Sequence, residues 1–138
     1  MNRSDFQQLA DLRLKEAEVL LTERCFDGAY YLLGYTVECA FKAYIARQTK
    51  EHDFPPNRKA VEAIYKHRPI DLLKASALER LHQDERQANP AFEDNWKIVE
   101  AWSEESRYEM GRTEQEVNDF YSAVAGKEGV FTWLKKYW

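Results

Sequence analysis

The chain has 138 residues, of which 32% are charged and 14% aromatic, a length and make-up suited to one domain with a packed core and at odds with disorder. Its net charge is −4, and its two cysteines, Cys25 and Cys39, have no metal-ligand spacing around them, which argues against a disulfide framework and fits a reducing compartment. Residues 1–8 lack the basic-then-apolar pattern of a signal peptide, so the expected location is cytoplasmic.

Ser4 and Gln7 have the spacing of a capping box, which predicts a first helix over about 4–24. Phe6, Leu9, Ala10, Ala17, Leu20 and Leu21 recur at core spacing, with Leu14 and Val19 widening the stripe. Asp27-Gly28 supplies a turn short enough to pack the next helix, about 29–47, antiparallel to the first. Residues 29–46 contain only two charges, Glu38 and Lys42. Each would cost roughly 2.5–3.5 kcal/mol at a bilayer centre, so the stretch predicts a helix enclosed by protein and not a membrane span. Tyr30, Gly34, Val37, Phe41 and Tyr44 or Ile45 form one stripe; Thr36, Cys39, Ala40 and Ala43 form a flatter one that admits a close neighbour. Glu38 and Lys42, acid before base at four residues' spacing, form a predicted structural ion pair.

The pattern fails over 48–57, where Pro55-Pro56 ends any helix, and resumes as a short helix over 58–66. Pro69 restarts the chain, with Ile70, Leu72, Leu73, Leu78 and Leu81 as one amphipathic segment up to the break at Asn89-Pro90. Phe92, Trp96, Val99 and Trp102 make another stripe. A second capping box, Thr113 with Glu116, opens a helix whose core positions are Val117, Phe120, Tyr121 and Val124. Gly126 and Gly129 precede Val130, Phe131, Trp133, Leu134, Tyr137 and Trp138, the last expected at a dimer contact. The predicted architecture is all-α, an antiparallel bundle of four to six helices forming a single domain over 1–138.

Residues 42–74 carry eight Lys/Arg against four Asp/Glu, so a segment of +4 sits on a remainder of −8. Such a segment marks either an anion or nucleic-acid footprint or a match to acidic surface within the molecule or its dimer.

The run Tyr30-Tyr31-Leu32-Leu33-Gly34-Tyr35-Thr36-Val37-Glu38-Cys39-Ala40-Phe41-Lys42-Ala43 resembles the second helix of HEPN domains. Leu72-Leu73-Lys74-Ala75-Ser76-Ala77-Leu78 is similar to the segment after the family's His-Asp-Leu and places His67 at the histidine, with Arg68 and Pro69 where Asp-Leu would stand. Asn95-Trp96, Trp102, Ser106-Arg107-Tyr108 and Gly129-Val130-Phe131-Thr132-Trp133 resemble later elements in the same order. The resemblance implies a helical bundle that works as a homodimer. It also implies an RNA- or nucleotide-linked role: a metal-independent RNase of a toxin–antitoxin or defence system, or the partner of a nucleotidyltransferase.

Ribonucleases of that family pair an arginine, which neutralises phosphate, with a histidine four to six residues on, which moves protons at the ribose 2′-hydroxyl. Arg47 and His52 match that spacing and are the catalytic candidates, although the pair ends the second helix whereas the family's motif lies later. A helix-terminal arginine, favoured there by the helix dipole, and a loop histidine are the stronger account of the pair. The resemblance supplies a second set, Lys42, His67, Arg107 and Tyr108, as ligand-binding candidates, with cations for phosphate and a ring to stack on a base or ribose. No spacing suggests a metal site, and no cofactor is expected. The competing reading is a non-catalytic dimeric helical interaction module.

Overall fold

The computed structural model describes residues 1–48 and 58–138, and these are helical throughout, with no strand among them. The first helix, α1 (Arg3–Thr22), begins two residues earlier than the Ser4 box implies. Asn2 is its N-cap, taking a hydrogen bond from the Asp5 amide at 3.0 Å while Asp5 accepts from the Asn2 amide at 2.8 Å, a reciprocal box that precedes the Ser4–Gln7 spacing. Of the predicted stripe, Ala10 and Ala17 are buried and the leucines half-buried, but Val19 is 56% exposed and does not widen it.

The turn after α1 is not Asp27-Gly28. Arg24, at φ 60, reverses the chain over residues 23–25, and α2 (Phe26–Gln48) already contains Asp27 and Gly28 in its first turn. Asp27 instead accepts from the amides of Gly111 at 3.2 Å and Arg112 at 2.9 Å, which tie a distant loop to the start of α2 and hold its pKa down. Leu20 lies against Gly28, Arg13 over Tyr35, and Phe6 in one groove with Ile45, a register that only antiparallel helices give.

Around α2 are packed α3 (Arg58–Ala63), α4 (Pro69–Ser76), a 3-10 turn (Glu104–Tyr108), α7 (Glu114–Ala125) and α8 (Val130–Leu134), while α5 (Glu79–Ala88) and α6 (Pro90–Glu100) complete the bundle on the far side. Most of its central residues are buried, from Ala29 and Leu33 to Phe41, Ala43 and Ile45, as a helix of this composition requires, while Tyr31, Tyr35 and Lys42 stay partly exposed. No helix of the described residues is long and apolar enough to cross a membrane. The single segment expected after Pro69 is split: Ala77 adopts a left-handed conformation at φ 62, ending α4 before α5 begins. Leu78 is buried at that junction, whereas Leu81 is 45% exposed. Thr113 caps α7 by accepting from the Glu116 amide, and Tyr121, on the flank of that helix, reaches Glu18 at 2.8 Å. Trp138 folds back onto Phe131 at 5.4 Å, edge to face, so its ring has a partner within the chain.

Gly34 permits the closest approach in the core. A Cβ there would lie 2.1–2.2 Å from ring atoms of Trp102, which is 1% exposed and has nowhere to retreat. Gly34→Ala is therefore expected to cost about 1–3 kcal/mol as overpacking, seen as a lower urea midpoint at unchanged slope; an unchanged midpoint would contradict this packing.

His82 is the polar centre of the opposite side of the core. It is 1% exposed, enclosed by Phe92, Trp96 and Trp133 at ring distances of 5.6, 4.2 and 5.6 Å, and its Nε2 has no hydrogen-bond partner among the described residues. Burial pushes its pKa down to about 4, Arg86 adds to the fall and Glu93 opposes it. Above pH 6.5 the ring is neutral folded or unfolded and costs nothing. Below it the unfolded chain takes up a proton that the folded chain refuses, so stability falls until about pH 4, by about 3 kcal/mol in all. Urea titrations at pH 7 and pH 5 should show a loss of about 2 kcal/mol that His82→Phe largely abolishes. Equal pH sensitivity in the variant would place the titrating group elsewhere.

Candidate functional site

Glu38 is the one acid in the central stretch of α2, and it is 3% exposed. A buried carboxylate without donors would be strongly destabilising, and here one oxygen takes two. Lys42, a turn further along the helix, donates from Nζ to Oε1 at 2.7 Å; His67, from the segment between α3 and α4, sits with Nδ1 at 3.0 Å from the same oxygen. The expected Glu38–Lys42 ion pair is thus present, and His67 joins it from 29 residues away.

The position of His67 follows from local chain chemistry. Pro69 occupies the first turn of α4 and holds Arg68 extended at φ −68, ψ 136, so α3 cannot run on into α4 and the chain turns at 64–68. Lys42 steadies that turn by also reaching the Ile64 carbonyl at 3.4 Å. Because a carboxylate oxygen only accepts, the proton between them belongs to Nδ1, and in the neutral ring Nε2 is then the acceptor. The side chain of His67 is 44% exposed against 13% for Lys42, so the imidazole is the reachable member of the group.

Arg107 and Tyr108 lie at the other end of the same face. The Arg107 guanidinium stands 5.0 Å from the Tyr108 ring centre, and hydrogen bonding to Tyr108 first and Tyr31 second raises its pKa. Tyr31 stacks on Tyr35 at 6.2 Å with planes 5° apart, and Arg13 covers Tyr35 at 5.9 Å. Burial, followed by the neighbouring Cys39 and Glu38, pushes the Tyr35 hydroxyl up to about 12; burial does the same to the Cys39 thiol. Tyr31 and Glu38 are two turns apart, roughly 10 Å along α2. Lys42, His67, Arg107 and Tyr108 therefore do not meet at one point: they form two pairs at the ends of a stripe, with half-buried Tyr31 and Tyr35 between them.

Tyr31, Tyr35 and Arg13 are members of this surface that the sequence reading does not pick out. The spacing of Tyr31, Tyr35, Glu38 and Lys42 at four, three and four residues was the available signal, and the two tyrosines entered the sequence reading only as part of the run that carries the resemblance. Arg47 donates to the Tyr137 carbonyl at 2.6 Å, a contact that holds the C-terminal segment against the end of α2. His52 lies outside the described residues. Among the described residues no three His, Cys, Asp or Glu side chains are grouped to hold a metal ion.

Searches against known protein families, curated proteins and solved structures find no match to the chain.

The burial of the three partners sets a stability test. Glu38→Ala strands the partly buried Lys42 and should cost about 3 kcal/mol, whereas His67→Ala removes an exposed ring and should cost under about 1 kcal/mol. Denaturant titrations giving the reverse order would show that His67, not Lys42, is the buried partner.

Proposed function

We propose that this chain is a HEPN-like, RNA-directed protein that cleaves or binds unpaired RNA along the exposed stripe of α2. The observation that carries the reading is the shared Glu38 oxygen, which holds a half-exposed imidazole by its Nδ1 and leaves Nε2 out of that contact, beside a cation. That is the arrangement a proton-transferring histidine needs: an acceptor behind it fixes the tautomer and the outer nitrogen faces the substrate. In the cleavage form of the proposal, Nε2 takes the proton of a ribose 2′-hydroxyl. The 2′-oxygen bonds to the adjacent phosphorus, the bond from phosphorus to the 5′-oxygen breaks, and that oxygen leaves with a proton from solvent.

Arg107, whose charge is secured by its tyrosine partners, is the phosphate contact at the far end, and Tyr108, 76% exposed, offers a face for a base. A homodimer, as the family resemblance implies, would place two such stripes in one assembly. The buried Glu38–Lys42 pair also supports a second reading, a dimeric interaction module that works beside a nucleotidyltransferase, because a 2.7 Å pair at 3% and 13% exposure serves packing without chemistry.

Purified protein incubated with a labelled single-stranded RNA in chelator should bind or cut it, with binding that weakens steeply as salt rises. His67→Ala should lower cleavage by at least 10²-fold and leave binding within a few fold. Arg107→Ala should weaken both. Cleavage that survives both substitutions sinks the site; absence of binding as well as cleavage favours the interaction module.

A further inference from the structure

The two ends of the α2 stripe are too far apart to serve one phosphate. His67 is placed by its 3.0 Å contact with Glu38, whereas Arg107 bonds to Tyr108 and Tyr31. Tyr31 stands two turns before Glu38, roughly 10 Å along the helix. The segment that carries Arg107 also keeps it at its own end. Trp102, 1% exposed, fills the space beside Gly34, and Ser106, 4% exposed, is buried immediately before Arg107 in the chain. On the other side the amides of Gly111 and Arg112 donate to Asp27 at 3.2 and 2.9 Å, and the Arg112 guanidinium lies 3.4 Å from the centre of the Tyr30 ring. A segment fastened to α2 both before and after its arginine does not carry that arginine two turns along the helix to meet His67.

Between the ends the surface changes character. Tyr31 and Tyr35 are half-buried with ring planes 5° apart, and the Arg13 guanidinium stands 5.9 Å from the Tyr35 ring centre. Phenol rings and a guanidinium plane are stacking partners for bases and ribose, whereas phosphates are bound by donors and cations. A stacked strand presents a phosphate about every 3.4 Å of its axis and an extended one fewer, so the length from His67 to Arg107 corresponds to about two or three linkages.

We infer that the stripe takes a run of unpaired RNA and not a dinucleotide, with the linkage to be cut at His67, a second phosphate about two or three linkages away on Arg107, and the nucleotides between them on Tyr31 and Tyr35. The inference rests on the cleavage reading above and adds to it the length of the substrate and the role of Arg107. That residue holds the strand in place and does not neutralise the phosphorus under attack, so its contribution falls on KM and not on kcat.

The test uses the full chain and octanucleotides with one ribonucleotide at a fixed position and 2′-O-methyl nucleotides elsewhere, so that only one linkage can be cut. Each member of the series carries one uncharged methylphosphonate linkage at a different position. The neutral linkage should raise KM at least about tenfold when it lies two or three steps from the cut on one side, with kcat within about threefold. In Arg107→Ala the same neutral linkage should change KM less than about twofold, because the charge it would have met is gone, and Arg107→Lys should restore a rise of a few fold. A rise confined to the linkages flanking the cut, or one equally large in Arg107→Ala, would overturn the inference and leave the RNase reading standing. So would dinucleotides cut as efficiently as octanucleotides. No cleavage of any all-ribose RNA by the unaltered chain would overturn the cleavage reading and this inference with it.

Discussion

The candidate site follows from placing a carboxylate at a buried position of a helix that is largely enclosed. Glu38 occupies the middle of α2, where its neighbours Val37, Cys39 and Ala40 are at most 1% exposed, and a charge there persists only if donors are brought to it. One donor comes from the helix itself, because Lys42 is a turn away. The second must come from elsewhere in the chain, and the bend between α3 and α4 delivers His67. The same requirement that makes Glu38 structural thus orients an imidazole at the surface, so packing and site geometry share one cause.

The rest of α2 shows how tightly that helix is constrained. Trp102 lies where the side chain of Gly34 would be, Phe41 meets Trp96 edge to face at 6.5 Å, and the Arg112 guanidinium lies 3.4 Å from the centre of the Tyr30 ring. With that stripe filled in this way, the side of α2 that runs from Tyr31 through Tyr35 to Lys42 reaches solvent at intermediate exposure. A rigid helix that presents one half-exposed stripe of aromatic and charged groups is a good support for a site, because its side chains cannot move independently of the core.

Much of this was legible in the sequence. The two-charge stretch from 29 to 46 announced an enclosed helix, and four-residue spacing announced the Glu38–Lys42 pair. Asn89 with Pro90 and Thr113 with Glu116 marked helix starts that the structure contains. Where the reading failed, a local rule met a tertiary one. Asp27-Gly28 has turn chemistry, yet Asp27 is used as an acceptor for the amides of Gly111 and Arg112, some 84 residues on, and the turn falls to Arg24. Ser4 and Gln7 have box spacing, but Asn2 and Asp5 have it too and lie first in the chain. Ala77 gave no sign of ending a helix, since an alanine at positive φ is set by the burial of Leu78 beside it and not by its own preference. His82 looked like one polar residue in a polar helix, because its cage of Phe92, Trp96 and Trp133 is assembled from three segments.

Lys42 connects the two surfaces that this arrangement creates. Its ammonium is bonded to the Glu38 oxygen that holds His67, and it also forms part of the wall of the groove that Phe6 and Ile45 share, beside α3. The turn that carries His67 rests on the same ammonium through the Ile64 carbonyl, and Ile64 itself lines the groove. That turn has little freedom, held by the 3.4 Å bond to Lys42 and by the proline-fixed start of α4. The imidazole takes its position from the core, because the carboxylate that holds the ring is itself anchored there.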